Sequence, residues 1–321
     1  MNTEHTNGQK PAIALVGPTA SGKTGLALLV AEALGTEIIG VDSRQIYRRL
    51  DIGTAKPTAA QVARVPHHLI DLVDPEERYS VGQYRRDVLD LLPRLAEAGR
   101  VLFFVGGTGF YLKAVLEGLC PGPEANIDLR RWLEKAAAYP AGGLHSLLER
   151  IDPESARRLH QNDSYSLTRA LEVYYVTGET LSDRQKRHRF SDRPFRAVIV
   201  GLTREKEELK ERIGRRIEEM LETGFVREVA GLLEDGYDPS LHSLRAVGYP
   251  QMIAHLRGEK GLDEAVEEIR KATWQYARRQ LTWFRGVSDV RWLSAEPGRS
   301  DESLAEEILS LVQKQGKVEK N

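Results

Sequence analysis

The stretch PAIALVGPTASGKT, residues 11–24, decides the fold. Its first half, Pro11–Gly17, is a short apolar run that ends in glycine and is typical of a buried parallel strand. The second half, Gly17–Thr24, matches GxxxxGK(S/T) at every fixed position. A helix is predicted to follow over Lys23–Leu34, with Gly35 as its C-terminal cap. A strand, a glycine-rich loop and a helix in this order predict a phosphate-binding loop at a helix N-terminus.

The residue types of this loop suit a phosphate ligand. Glycines let backbone N–H groups close around phosphate oxygens, and the helix N-terminus adds a favourable field. Lys23 supplies a positive charge, and the Thr24 hydroxyl can ligate Mg²⁺, which we expect as the cofactor. The loop does not identify the molecule that carries the phosphate. The expected diphosphate- or nucleotide-binding residues of the loop are Gly17, Pro18, Thr19, Ala20, Ser21, Gly22, Lys23 and Thr24.

Three further apolar runs predict strands, and helical stretches lie between them. The runs are EIIGV (37–41), VLFFV (101–105) and AVIVGL (197–202). Strands that alternate with helices in this way predict a doubly wound parallel α/β sheet of the P-loop type. Ligands of such sheets bind beyond the carboxyl ends of the strands.

The alternation of predicted strands and helices stops between the third and the fourth predicted strands. Residues 121–182 contain helical patterns but no convincing strand, which predicts a helical insertion domain. The remaining residues, 1–120 and 183–321, should form the α/β core, with helices in its C-terminal part.

Composition excludes several classes of protein. The chain has 321 residues, 41% of them hydrophobic, and a formal net charge of -1. These values argue against a disordered or fibrous chain, and no window approaches the roughly 20 apolar residues of a membrane span. The polar N-terminus lacks a secretory signal, and the single Cys120 cannot form an internal disulfide. We therefore expect a cytoplasmic, monomeric protein that does not bind membranes.

Positive charge is concentrated in two segments of this nearly neutral chain. Residues 184–216 contain twelve Lys or Arg and five Asp or Glu, and residues 269–285 contain five basic residues and no acid. The second segment also holds Trp274, Tyr276, Trp283 and Phe284. This distribution suits a protein that binds a polyanion at one place. The alternative is a pair of solvated helix faces with buried aromatic residues beneath them.

Two predicted strands end in residues that could carry chemistry. Asp42 follows the second strand, where a carboxylate beside a phosphate site could accept a proton or hold a metal through water. Its alternative role is to cap a helix N-terminus. The third strand ends in Gly106–Gly109, which includes Thr108, rather than in the acid that holds Mg²⁺ in P-loop ATPases. The alternative for Thr108 is a tight turn without a ligand.

Seven stretches of the sequence carry a family resemblance: GPTASGKT (17–24), DSRQIYRRLDIGTAKP (42–57), PHHLIDLVDP (66–75), GGTGFYLKA (106–114), RALEVYYVTG (169–178), AVGYPQM (246–252) and RRQLTWFR (278–285). In this order along the chain, they together resemble the tRNA dimethylallyltransferase (tRNA isopentenyltransferase) family. The resemblance implies transfer of a dimethylallyl group from dimethylallyl diphosphate to N6 of the adenosine immediately 3′ of the tRNA anticodon. The products would be N6-dimethylallyladenosine and diphosphate. It also implies that the loop holds the donor's diphosphate, although such loops are commonly assigned to ATP.

The chemistry of these residues fits what the resemblance implies. Lys23, Thr24, Mg²⁺ and backbone N–H groups would stabilise the departing diphosphate. Asp42 would take the proton of N6, and Thr108 would assist at the reacting centre. Arg212 and Arg216, four residues apart and so on one helical face, are further candidates for the diphosphate. Their alternative role is as surface arginines paired with nearby glutamates. The expected catalytic residues are Asp42, Thr108 and Lys23.

The resemblance also implies contacts with an anticodon loop, whose target base must be extruded from the stack. The sequence departs from the family pattern at Ser166, where an arginine is usual, so Arg169 is the stronger candidate. The basic segment adds Arg278 and Arg279 as candidates. The expected tRNA-binding residues are Asp42, Ser43, Arg44, Gln45, Thr108, Arg130, Tyr165, Ser166, Leu167, Thr168, Arg169, Arg278 and Arg279.

Three other functions remain open from the sequence. One is a P-loop kinase of a small metabolite, which the missing strand-end acid disfavours. Another is a prenyltransferase that acts on free adenine nucleotides. The third is an RNA-binding protein without chemistry, which the presence of Lys23, Thr24, Asp42 and Thr108 disfavours.

Overall fold

The computed structural model describes residues 10–97, 100–137, 143–188, 194–296 and 298–317. The chain divides into two compact units. The core unit comprises Met1–Leu116 and Pro194–Asn321, and the insertion unit comprises Glu117–Arg193. The insertion unit therefore extends beyond both expected boundaries, 121 and 182.

A single parallel sheet forms the centre of the core unit. Its strand order is β3-β2-β4-β1-β5-β6, and every pair of neighbours is parallel. The strands are β1 (Lys10–Val16), β2 (Ile38–Val41), β3 (His67–His68), β4 (Leu102–Gly106), β5 (Phe195–Thr203) and β6 (Val290–Ser294).

Fourteen α-helices and one short 3-10 turn (Ser243–Arg245) occur among the described residues. The first four, in the core unit, are α1 (Lys23–Leu34), α2 (Ala59–Arg64), α3 (Val81–Glu97) and α4 (Gly109–Leu116). Those of the insertion unit are α5 (Ile127–Ala137), α6 (Gly143–Ile151), α7 (Pro153–Arg158), α8 (Ser164–Thr177) and α9 (Leu181–His188). The core unit continues with α10 (Lys206–Glu222), α11 (Phe225–Glu234), α12 (Tyr249–Leu256), α13 (Leu262–Arg285) and α14 (Asp301–Lys317).

Helices cover both faces of the sheet. Alternate residues of β1 point to opposite faces, so Ile13 and Leu15 pack with α1 and α14 while Ala12 and Ala14 pack with α3 and α4. All four are buried, which explains why the strand reads as a continuous apolar run. The expected doubly wound parallel α/β architecture is confirmed.

A second hydrophobic cluster of the core unit joins helices α10 to α13 to the segment that follows β2. Ile46, Tyr47 and Leu50 from that segment are fully buried against residues of these helices. This packing fixes residues 42–57 at the carboxyl edge of the sheet, where the phosphate-binding loop also lies.

The insertion unit is helical over its described residues. Its core includes Leu133, Leu144, Leu148 and Leu171, which are buried on α5, α6 and α8. Helix α9 belongs to this unit because the backbone N–H of Ser182 donates to a carboxylate oxygen of Asp152, 3.0 Å away.

The predicted elements and the observed ones differ mainly in two strands. Helix α1 has the predicted bounds, and Gly35 caps it with a left-handed backbone. Strands β3 and β6 were not predicted, because β3 has only two residues and β6 alternates between more and less exposed positions. Among the described residues, no helix combines the length and the apolar character that crossing a membrane requires.

Candidate active site

The phosphate-binding loop is folded as its glycines require. Gly17 has a φ of +149°, and a Cβ atom there would lie 2.5 Å from the carbonyl oxygen of Leu202 on β5. Gly22 has a φ of +99° at the N-cap of α1, and between them Ala20 also has a positive φ of +62°. Only glycine adopts the first two positions without strain, so the loop can close tightly before the helix begins.

The Lys23 ammonium lies within the curve of this loop. Its Nζ atom donates hydrogen bonds to the carbonyl oxygens of Gly17, at 2.9 Å, and Pro18, at 2.6 Å. Burial disfavours the charged form and lowers the pKa of Lys23 to about 7. The neighbouring Arg216 guanidinium contributes to this lowering, whereas the carboxylate of Asp42 opposes it.

Two arginines hold the loop from outside through its carbonyl oxygens. Arg212 Nε donates to Ala20 O at 2.8 Å, and Arg204 Nε donates to Ser21 O at 2.7 Å. Sequence analysis did not single out Arg204. The feature that could have identified Arg204 is its position directly after β5, the strand next to β1. These contacts make Arg212 and Arg204 supports of the loop.

Arg216 has a different environment from Arg212, although both lie on α10. Arg216 lines a cavity of about 390 Å³ and makes no hydrogen bond with the rest of the described chain. Burial lowers its pKa, and the nearby Asp42 partly offsets this effect. A half-buried guanidinium that makes no hydrogen bond within the described residues is suited to an anionic ligand.

The same cavity brings together most of the predicted core-unit residues. The phosphate-binding loop contributes Thr19, Lys23 and Thr24, and the segment after β2 contributes residues 42–45. Helix α13 contributes further polar side chains, those of Thr273, Tyr276, Arg279 and Gln280.

Asp42 stands at the end of β2 and caps a turn rather than a helix. Its Oδ1 atom accepts from the backbone N–H groups of Arg44, at 2.8 Å, and Gln45, at 3.3 Å. Burial raises the pKa of Asp42 despite these two hydrogen bonds. A carboxylate with a raised pKa is a better proton acceptor than an ordinary one.

Thr108 connects the ends of β2 and β4. Its Oγ1 atom accepts from the backbone N–H of Ser43 at 3.1 Å, and its own N–H donates to Val41 O at 3.1 Å. Its neighbours Gly106 and Gly107 have no room for a Cβ atom, which would meet Val41 and Gln280 respectively. The GGTG stretch is therefore part of the site rather than a simple turn.

Tyr276 and Gln280 are site residues that sequence reasoning missed. Burial and the nearby Asp42 raise the pKa of Tyr276 to about 12, whereas the side chain of Thr108 has a smaller, lowering effect. Gln280 Oε1 accepts from Thr19 N at 2.8 Å, while Gln280 Nε2 donates to Gly107 O at 3.0 Å. The available signal was the spacing of Thr273, Tyr276 and Gln280, which places them on one face of α13.

The side chains after Asp42 have specific partners. Gln45 Nε2 donates to Thr54 O at 3.1 Å and to Ala55 O at 2.9 Å. Arg44 NH1 donates to His242 O at 2.7 Å. These three bonds hold the wall of the cavity to neighbouring loops of the core unit.

The two neighbouring arginines of α13 lie on different sides of that helix. Arg279 lines the main cavity, with its guanidinium 5.9 Å from the ring centre of Tyr276. Arg278 lines a second depression, of about 770 Å³. The other basic residues that line this depression are Arg204, Lys206, Lys210 and Arg285. The structure thus places Arg278 and Arg279 at two different depressions.

In the insertion unit, two of the arginines predicted to contact tRNA donate hydrogen bonds to one buried carboxylate. Glu172 is 0% exposed and accepts from Arg130 Nε at 2.8 Å and from Arg169 NH1 at 2.5 Å. It also accepts from the backbone N–H of Asn126 at 2.7 Å. These bonds and the arginines lower the pKa of Glu172, so the carboxylate stays ionised. Sequence reasoning missed Glu172, although it stands three residues after Arg169.

The other predicted contacts at the start of α8 differ in exposure. Tyr165 is 73% exposed, whereas Leu167 is only 1% exposed and packs in the core of the insertion unit. Leu167 is therefore not placed for a side-chain contact with RNA. Ser166 and Thr168 are partly exposed, and the Ser166 N–H donates to the capping Asp163.

The donor set of the main cavity fits a magnesium ion that is shared with a phosphate ligand. Thr24 offers a hydroxyl and Asp42 a carboxylate, both lining the same cavity. Mg²⁺ is commonly held by one or two protein oxygens together with substrate phosphates and water. No group of three or more His, Cys, Asp or Glu positioned to hold a metal occurs within the described ranges.

Comparison with known proteins identifies the family. A family model described as IPP transferase matches residues 45–287, and another, described as isopentenyl transferase, matches residues 11–71. A tRNA dimethylallyltransferase of Syntrophobacter fumaroxidans is 46% identical over 286 residues, which cover 89% of this chain and 84% of that protein.

One solved structure supports the same assignment, and a second supports the fold. The full-length tRNA isopentenylpyrophosphate transferase of Bacillus halodurans is 36% identical, with a TM-score of 0.72 over 98% of this chain and 100% of that one. A eukaryotic dimethylallyltransferase acting on tRNA has a TM-score of 0.83 over 96% of this chain and 80% of that one. At 24% identity it supports the fold alone. Because a family model spans most of the chain and close relatives match it over nearly its whole length, this chain belongs to the IPP transferase family.

Proposed function

We propose that this protein transfers a dimethylallyl group from dimethylallyl diphosphate to N6 of the adenosine immediately 3′ of a tRNA anticodon. The observation that carries the proposal is that one cavity is lined by the phosphate-loop Lys23, the carboxylate of Asp42 and Arg216. Among the residues that the structure describes, Arg216 has no hydrogen-bond partner. These three side chains are the groups that a diphosphate leaving group and a weak amine nucleophile require.

The leaving group is bound at the phosphate-binding loop. As the bond between C1 of the donor and its diphosphate oxygen breaks, the electron pair leaves with the diphosphate. Lys23, Arg216 and the N–H groups at the start of α1 stabilise the negative charge that develops there. Arg212 and Arg204 keep the loop in the required shape through their bonds to Ala20 and Ser21.

The nucleophile is activated on the other side of the same cavity. N6 of the adenine forms a bond to C1 of the donor and loses one proton, which Asp42 accepts. The raised pKa of Asp42 suits it to this task. Thr108 and Tyr276 lie beside Asp42 and help to orient the amine and to limit water.

Magnesium is the proposed cofactor, with Thr24 as its protein ligand together with oxygens of the diphosphate. When bound, the ion would supply additional positive charge to the leaving group. The same loop is of the type that binds ATP elsewhere, and we propose that its ligand here is the prenyl donor.

The acceptor is proposed to be the anticodon loop of tRNA, with the target base turned out into the cavity. Residues 42–45 and Arg279 line the cavity that would receive the base. Thr108, bonded to the N–H of Ser43, is proposed to contact the base from beside this lining. In the insertion unit, Tyr165, Thr168, Arg130 and Arg169 are proposed to contact the loop. Since tRNA is found in the cytoplasm, we place the activity there, carried out by a monomer.

One incubation tests the proposal. The protein is mixed with Mg²⁺, labelled dimethylallyl diphosphate, ATP, unmodified tRNA and AMP, and the labelled products are separated. Label on the adenosine 3′ of the anticodon is the expected result. Label on AMP, phosphate transfer from ATP, or tRNA binding without transfer would each contradict the proposal. These outcomes would indicate a free-nucleotide prenyltransferase, a kinase or an RNA-binding protein, respectively.

A further inference from the structure

The carboxylate of Glu228, in the first turn of α11, binds three consecutive backbone amides of a distant loop. Its Oε2 atom accepts from the N–H groups of Asp51, at 3.0 Å, and Ile52, at 2.6 Å. Its Oε1 atom accepts from Gly53 N at 3.1 Å and from the Tyr249 hydroxyl at 2.7 Å. Four donors thus converge on one side chain, which is partly buried.

The loop that Glu228 binds, residues 51–55, lies very close to α11 and α12. A Cβ atom at Gly53 would collide with the ring of Phe225 and would lie 2.6 Å from Cε2 of Tyr249. The absence of a side chain at Gly53 therefore lets its amide reach the Glu228 carboxylate. Gly53 itself lines the main cavity together with Phe225.

The opposite side of this loop binds Gln45, which lines the main cavity. The carbonyl oxygens of Thr54 and Ala55 accept both hydrogen bonds of the Gln45 amide, at 3.1 Å and 2.9 Å. The Gln45 amide orientation is thereby set, with Oε1 left as the acceptor for a ligand. Gln45 stands three residues after Asp42, whose Oδ1 accepts from the Gln45 N–H.

We propose that Glu228 is a positioning residue for the acceptor base, acting through the loop 51–55 and Gln45. The inference rests on the proposed function, since it names the base that Gln45 and Asp42 surround. A carboxylate is needed because it can accept from several donors at once, whereas a glutamine of the same size has one acceptor oxygen. In a Glu228→Gln variant, the NH₂ group of the glutamine would face the N–H of at least one loop residue, and two donors cannot form a hydrogen bond.

The kinetic test compares Glu228→Gln with Glu234→Gln, an exposed glutamate at the end of the same helix. In Glu228→Gln we expect the KM for tRNA to rise about tenfold, because a charge-assisted hydrogen bond is lost. The KM for dimethylallyl diphosphate should stay within about twofold of wild type, since the loop 51–55 does not hold the phosphate site. Glu234→Gln should match wild type in both. A rise in both KM values, or in neither, would overturn the inference.

A double-mutant cycle tests whether Glu228 acts through Gln45. Gln45→Ala alone should raise the KM for tRNA, and adding Glu228→Gln should raise it by less than about twofold more. If the two effects multiply, Glu228 does not act through Gln45. Where Glu228→Gln gives too little folded protein, Glu228→Asp keeps the charge but cannot reach all three amides. It should show the same acceptor-specific rise.

Hydrogen exchange provides a readout that does not depend on the reaction. The amides of residues 51–53 should exchange faster in Glu228→Gln than in wild type, and Glu234→Gln should leave them unchanged. Unchanged exchange at these amides would overturn the inference while leaving the proposed function intact. Conversely, a wild-type protein that transfers no label to tRNA would refute the proposed function, whatever the amides do.

Discussion

The affinity of the protein for its diphosphate donor should depend on pH through Lys23. In the free protein the pKa of this lysine is lowered to about 7, so above that pH its amine is largely neutral. A bound diphosphate favours the charged ammonium, because opposite charges lie in contact at a buried site. Binding above pH 7 must therefore take up a proton.

The magnitude follows from the fraction of free protein that already carries the charge. With a pKa of about 7, roughly one molecule in ten is charged at pH 8 and one in a hundred at pH 9. The apparent Kd should rise by the inverse of these fractions, about tenfold at pH 8 and about a hundredfold at pH 9. Dimethylallyl diphosphate contributes little to this slope, because its last ionisation, with a pKa of about 6, is complete above pH 7.

Isothermal titration calorimetry can measure both consequences. Titrating dimethylallyl diphosphate at pH 8 in two buffers of different protonation enthalpy gives the number of protons taken up, which should be close to one. The Lys23→Arg variant is the control, because a guanidinium stays charged over this range and should remove the slope. A wild-type Kd that is constant between pH 7 and pH 9, or a slope that persists in Lys23→Arg, would refute the reasoning.

Four further predictions concern other parts of the site. Asp42→Asn should slow single-turnover transfer about 10²–10⁴-fold while tRNA affinity stays the same, because it removes the proton acceptor and keeps the size. A nearly normal rate would leave Asp42 only its turn-capping role. Gln280→Leu should lower the free energy of unfolding by about 2–4 kcal/mol, since it leaves a buried donor and a buried acceptor unpaired. Unchanged chemical denaturation would contradict this. Glu172→Gln should cost about 3–5 kcal/mol in the insertion unit and weaken tRNA binding in a filter assay without affecting donor binding, because two arginines lose their counter-charge. Equal calorimetric stability of variant and wild type would refute it. Replacing Arg278 and Arg279 together with Ala should flatten the salt dependence of tRNA binding by about one to two units of slope. A loss of thermal stability with an unchanged slope would assign both to the fold instead.

The sequence predicts the elements whose conformation depends on local chemistry. The bounds of α1 and its Gly35 cap were predicted because helix start, periodicity and end all lie within residues 23–35. Strand β3, by contrast, exists only through its pairing with β2, so its two residues carry no pattern of their own. Strand β6 is similar, since its place at the edge is set by β5.

The candidate site could be predicted where its residues end a strand or form the loop, and not where they act across the fold. Lys23, Asp42 and Thr108 could be proposed from the sequence because each directly follows an apolar strand or belongs to a motif. The different environments of Arg212 and Arg216 could not be predicted, because they depend on how α10 is rotated against the phosphate-binding loop. Gln280 bonds to residues 261 and 173 positions away, and no local pattern reports such a distance.

The tight packing around the GGTG stretch shows which of its residues are required by the fold rather than by the reaction. Gly106, Gly107 and Gly109 each touch a neighbour so closely that a methyl group would overlap it, and for Gly109 the neighbour is the Trp283 indole. These three positions are fixed by space rather than by reactivity. A descendant that had lost prenyl transfer but kept this fold would still carry the glycines. Within the stretch, Thr108 is the residue whose proposed role concerns the reaction, so genome surveys should weight it together with Asp42.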